Sequence, residues 1–180
     1  MEKYQINKAA DILYNSRINI KRIKELPKDC TPKSFQEAYA IQDELTKRYL
    51  SEDKKNLVIG KKIGCTNEAA KMQLNIKDSF FGNMFSDNIS RSNTIINPKK
   101  YFSPFVEPEF SFKMKNELDV LNAPYSPDVV YENILTVIPS IELVDSRYED
   151  WTTIGVNNLI ADNAVHAHWI YGKEKNELNL

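Results

Sequence analysis

Histidine and cysteine are scarce in this chain, with two of each in 180 residues. His166 and His168 alone do not supply a histidine-rich zinc site. Cys30 and Cys65 lie far apart and form no Cys-x-x-Cys pair, so they read as free thiols in a reducing cytoplasm. Excess charge is also lacking. The 24 Lys and Arg are interspersed with 25 Asp and Glu, leaving a net charge of −1. Nothing there supports binding to nucleic acid or to a membrane surface. No apolar run reaches the length of a membrane span, and Met1-Glu2-Lys3-Tyr4 offers no apolar core for a signal peptide. The expectation is a cytoplasmic protein. Internal repeats and low-complexity tracts are absent too.

What is present suffices for a packed core: 42% of residues are hydrophobic and 11% aromatic. The length suggests one domain with a small helical extension. Ile6, Ala9, Ala10, Leu13, Tyr14 and Arg17 recur at helical spacing and predict a helix over 3–25. After Pro27 and Pro32, Ser34-Phe35-Gln36-Glu37 fits a capping box that opens a second helix over about 35–50. Residues 1–55 read as a helical arm ahead of the main body, 56–172. Within that body, strands are expected over 57–64, 94–96, 104–114, 134–144 (interrupted at Pro139) and 164–172. Phe80–Phe85 reads as an apolar loop or short strand. Short helices are expected from Asn67 through Leu74, over 128–133, and from Asn157. Residues 173–180 read as a polar tail. The order points to an α+β fold with a roll or barrel-like core.

Two stretches carry the chemistry. In Val106-Glu107-Pro108-Glu109-Phe110, strand alternation points Glu107 and Glu109 the same way. Glu142 lies in the comparable Ile141-Glu142-Leu143-Val144-Asp145. Carboxylates among apolar neighbours are costly unless compensated. Three meeting at one place repel unless a cation sits between them. An all-oxygen set suits a hard divalent ion such as Mg2+ or Mn2+. Against this stands the commoner meaning of Glu-x-Glu in a strand, a solvated face; residue spacing leaves the two readings about even. Pro108, lacking an N–H, belongs at a sheet edge or a bulge. On 57–64, one of Lys61 and Lys62 can turn inward while the other reaches solvent, or both can lay their stems over apolar neighbours at the surface.

Six stretches taken together resemble the 2-keto-4-pentenoate hydratase group of the fumarylacetoacetate hydrolase-like superfamily. They are Ala38-Tyr39-Ala40-Ile41-Gln42, Gly60-Lys61-Lys62-Ile63-Gly64-Cys65-Thr66, Gln73-Leu74, Val106-Glu107-Pro108-Glu109-Phe110, Pro139-Ser140-Ile141-Glu142-Leu143-Val144-Asp145-Ser146-Arg147 and Ala161-Asp162-Asn163-Ala164. The similarity runs from about residue 8 to 172, in order and at matching spacing. It implies a fumarylacetoacetate hydrolase-type mixed β-roll with N-terminal helices packed on it. It implies a divalent metal, Mg2+ or Mn2+, held by Glu107, Glu109 and Glu142, with Lys62 facing the site as a catalytic and substrate-binding group. The implied reaction adds water to a 2-hydroxydienoate, giving a 4-hydroxy-2-oxo acid. Close relatives decarboxylate 4-oxalocrotonate instead. A small-molecule 2-oxo acid is thus the expected partner.

The chain departs from the group's pattern in three places. Phe80 holds the position of an Asp thought to assist proton transfer; Asp78, two residues earlier, is the candidate replacement. Val165 stands where the group has a substrate-contacting Ser. His166 and His168 read as ordinary polar strand residues, with His166 expected on the side of the strand opposite Val165. Members of the group also continue past the Ala-Asp-Asn-Ala strand, so the C-terminal strands of the roll are expected to be missing. That leaves a sheet edge for a partner to cover, in a homo-oligomer or with a longer homologue. A catalytically weakened metal-binding relative and a non-catalytic subunit are the alternatives to an active lyase.

Overall fold

The computed structural model describes residues 1–175; most of the expected tail, 176–180, lies outside the described residues. The architecture is α+β. Helix α1 spans Lys3–Ile18, shorter than its apolar spacing suggests. Ile20 turns left-handed (φ 49), and the chain reverses through Ile20 N to Arg17 O and Lys21 N to Ser16 O, a Schellman closure. Residues beyond it leave to pair elsewhere: Ile23 N donates to Arg147 O, and Ile23 O accepts from Glu149 N. Helix α2, Phe35–Glu52, starts as expected, with Ser34 Oγ accepting from Glu37 N. The Glu37 carboxylate takes the N–H of Lys33, however, not that of Ser34.

The two helices share one core with the rest of the chain. Ala9, Ala10 and Leu13 of α1 and Ala38, Ile41 and Leu45 of α2 cluster with Phe80, Tyr148, Ile160 and Ala161. Burying side chains of the Leu or Ile class is worth about 1.5–3 kcal/mol each.

Strands β1 (Val58–Gly64) and β2 (Phe80–Phe85) pair antiparallel around the short helix α3 (Glu68–Leu74). Asn67 Oδ1 caps α3 by accepting from Ala70 N, as expected. The expected strand at 94–96 does not form: Asn93 turns left-handed (φ 70) and Ile95 stands exposed. Strand β3 forms instead at Ile89–Arg91. Next come β4 (Phe105–Met114), helix α4 (Pro127–Glu132), β5 (Ile134–Val144), helix α5 (Val156–Ala161) and β6 (His166–Tyr171). The larger sheet runs β3-β6-β5-β4, with β3 parallel to β6 and the other pairs antiparallel. Pro108 thus sits on an edge strand, where a missing N–H costs least. Pro139 does not interrupt β5, which is continuous through it.

A left-handed turn joins the layers. Asn163, Ala164 and Val165 all have positive φ (55, 50 and 55). The Asn163 amide pairs like a short strand with β2, accepting from Asn83 N at 2.7 Å and donating to Asn83 O at 2.9 Å. Gln42 Nε2 donates to Phe81 O and to Ile160 O, tying α2 to both sides of this junction. Gly82 is required there, because a Cβ would lie 2.3 Å from the Asn163 carbonyl oxygen. Gly82→Ala should therefore destabilise the fold by about 3 kcal/mol or more, read as a lowered urea midpoint, whereas Gly155→Ala, with open space around the position, should cost only the smaller strain of its positive φ.

Candidate metal centre

Sheet register builds the acidic cluster. Glu107 lies directly opposite Glu142, and Glu109 opposite Ser140, so Glu107, Glu109, Ser140 and Glu142 share one face of the β4–β5 pair. One carboxylate oxygen from each of Glu107, Glu109 and Glu142 falls within 4.8 Å of the others. The cluster grades inward: Glu107 is exposed, Glu109 half-buried and Glu142 buried. Within the Glu-x-Glu pair itself, Glu107 is solvated and Glu109 is half-enclosed. Trp169, opposite Glu142 on β6, continues the same face and donates Nε1–H to Ser111 Oγ at 3.0 Å.

Of the lysine pair, Lys62 is the inward one. It is 8% exposed, and its Nζ lies 3.3 Å from Glu142 Oε2. That contact is an ion pair without hydrogen-bond geometry, so Oε2 remains a buried oxygen with no hydrogen bond. Lys61 stays exposed on the opposite side of β1, bonded to Asn83 Oδ1 and lying over the Phe81 ring.

His166 belongs to the cluster, and the sequence reasoning missed it. Counting back from Trp169 by simple alternation puts His166 on the far face. The β5–β6 register, however, shifts between Leu143, opposite His168, and Val144, opposite His166, leaving Ala167 as an extra residue. Such a bulge re-aims the side chain beyond it. His166 Nδ1 consequently lies 2.6 Å from Glu142 Oε1, with the residue 3% exposed. Nothing in the sequence marks this bulge, and alternation argues against the placement. His168 keeps an ordinary role, sharing a hydrogen bond with Ser90 Oγ. Val165 precedes the strand and offers its carbonyl to Asp145 N.

The candidate proton carrier lies apart. Asp78 is exposed in the bend before β2, and no hydrogen bond or ion pair among the described residues joins it to the cluster. Phe80 is 5% exposed and belongs to the hydrophobic core.

Electrostatics mark the cluster as under-compensated. Burial, then the negative charge of Glu142, pushes the Glu109 carboxyl up to about 7; Lys62 opposes this and Glu107 adds to it. Burial also holds His166 below its ordinary value, against the pull of Glu142. A carboxylate only accepts, so a neutral His166 must carry its proton on Nδ1 and donate it to Glu142. Hard oxygen donors at mutual distances below 5 Å, one of them buried without a hydrogen bond, fit a divalent cation.

No protein-family model matches the chain. It is 30% identical to a 2-hydroxypent-2,4-dienoate hydratase of Pseudomonas putida over 179 residues, covering 97% of this chain and 77% of that protein. It is also 30% identical to a 2-keto-4-pentenoate hydratase of Paraburkholderia xenovorans over 172 residues, covering 96% of this chain and 62% of the relative. Its fold is similar to that of the 4-oxalocrotonate decarboxylase from Pseudomonas putida G7, solved with magnesium and adipate: TM-score 0.85, 26% identity, 96% of this chain and 64% of that one. The chain thus spans less than two thirds of the second hydratase and of the decarboxylase.

A cation held by Glu109 would have to displace the proton that this carboxyl, pushed up to about 7, keeps at lower pH. Apparent Mn2+ affinity should rise about tenfold between pH 6 and pH 8, the span one proton near 7 allows, and level off above; a titration at fixed ionic strength checks it. For folding without metal the sign is opposite. A carboxyl raised in the folded state favours folding below its ordinary range and loses that contribution as pH rises through 7.

Proposed function

Because the chain belongs to the 2-keto-4-pentenoate hydratase family, we propose that it is a metal-dependent lyase acting on 2-hydroxydienoates and 2-oxo acids in the cytoplasm. The favoured reaction is hydration of a 2-hydroxydienoate to a 4-hydroxy-2-oxo acid. The observation that carries it is the convergence of Glu107, Glu109 and Glu142 beside Lys62. These three carboxylates hold the ion, Mg2+ or Mn2+. A divalent ion held there would supply Lewis acidity to the substrate's 2-oxo group. The solvent-facing side of the cluster, at exposed Glu107, is where an anionic acid enters. Lys62 is the cation that meets the substrate carboxylate or the enolate, and releasing Glu142 to the metal frees its ammonium for that task. A single such donor is worth about 3–4 kcal/mol of transition-state stabilisation.

Asp78 carries the proton in this reading, which requires the loop ahead of β2 to bring it toward the cluster. The two sheets form part of a fumarylacetoacetate hydrolase-type roll. Val106, Phe110 and Phe112 are exposed on the edge strand β4, and a homo-oligomer that covers them fits an apolar free edge. Decarboxylation of 4-oxalocrotonate is the second reading, favoured by the similarity to the magnesium-containing decarboxylase; both reactions begin from the same chelated acid.

Purified protein with Mg2+ should consume 2-hydroxypenta-2,4-dienoate, seen as loss of ultraviolet absorbance, or release carbon dioxide from 4-oxalocrotonate. Lys62→Met should lower turnover by about 10²–10³-fold. No turnover of either acid, with the Mn2+ response intact, would overturn the lyase reading and leave a metal-binding relative. Asp78→Asn should lose turnover while keeping Mn2+ binding; unchanged turnover would remove Asp78 from the site.

A further inference from the structure

Glu142 is the buried anchor of the cluster, and its two oxygens have separate surroundings. Oε1 lies 2.6 Å from His166 Nδ1; Oε2 has only the ion pair with Lys62 and no hydrogen bond. The terminal torsion of a glutamate is soft, so an unheld carboxylate samples a broad range of orientations. A short N–H···O⁻ contact from a buried ring reduces that freedom. His166 qualifies: it is 3% exposed, its backbone is fixed at the bulge, and its carbonyl oxygen accepts from Arg17 Nη2 at 3.4 Å.

We propose that His166 is a positioning residue of the metal centre, clamping Glu142 through Oε1 so that Oε2 is presented to the cation as a single donor. The imidazole acts through Glu142 and touches neither cation nor substrate. Outer hydrogen bonds to ligating groups are typically worth 10–100-fold in metal affinity. The clamp also divides the carboxylate between two partners: His166 keeps Oε1 when the cation arrives, and Lys62 is the group that lets go. This rests on the metal reading above and adds to it the donor that orients the innermost ligand.

The test compares wild type, Glu109→Ala, His166→Asn and His166→Gln by direct Mn2+ titration, with free Mn2+ followed by electron paramagnetic resonance. An asparagine amide nitrogen can occupy the place of Nδ1, whereas the longer glutamine amide reaches toward Nε2. The expected result is that His166→Asn stays within about threefold of wild type while His166→Gln weakens binding about 10–100-fold. Circular dichroism in the presence of chelator shows that both variants are folded at the titration temperature. If wild type and Glu109→Ala both fail to bind Mn2+, the metal reading itself falls. If wild type binds, Glu109→Ala does not, and both His166 variants match wild type, the clamp is overturned while the metal reading stands. Equal weakening of the two His166 variants also overturns it, since packing alone then accounts for the residue.

Discussion

Repulsion among three carboxylates at one spot on a sheet is the constraint from which the rest of the site follows. Glu107 and Glu142 are forced together by register, and Glu109 sits one pleat further along the same face. One lysine is the balancing cation among the described ion pairs. Burial first, and the charge of Glu142 second, push the Glu109 carboxyl up to about 7. Left alone, such an arrangement opposes folding. Its retention makes sense when a divalent ion binds and converts the repulsion into attraction.

The surrounding scaffold exists to hold that unfavourable geometry in place. Lys62 reaches Glu142 because β1 is carried by β2, and β2 is fastened to the Asn163 turn by two side-chain to main-chain hydrogen bonds and the close approach at Gly82. The turn is itself anchored by buried Asp162, which takes the N–H of Arg147 and lies 2.7 Å from its Nε. Asp145 accepts the N–H groups of Phe102 and Ser103 just ahead of β4. Several of the residues through which the chain resembles its family (Gln42, Asp145, Arg147, Asp162 and Asn163) are thus joints between elements. They place the chemistry without taking part in it.

Where sequence reasoning failed, a long-range contact outvoted a local pattern. The apolar spacing of α1 continues past Ile18, but the left-handed turn at Ile20 frees Ile23 to bridge to Tyr148. Ile95 and Ile96 have strand propensity and find no partner, while Ile89–Arg91 finds one in β6. Alternation assigned His166 to the wrong face because a one-residue bulge at Ala167 has no marker in the sequence. Phe80, which stands where the resemblance implies an Asp, packs into the hydrophobic core.

The sequence by itself pointed to the family, the α+β class and three acidic residues, and the resemblance singled out Lys62 as the inward lysine. Motif order carries the family, whereas spacing and strand alternation left both the meaning of Glu-x-Glu and the choice between Lys61 and Lys62 open. Only the tertiary structure decided that the three carboxylates meet, that Glu109 is half-buried with its carboxyl pushed up to about 7, and that His166 Nδ1 lies against Glu142. These depend on the register between strands far apart in the chain, which hydrogen bonds across the folded sheet set and local residue preference does not.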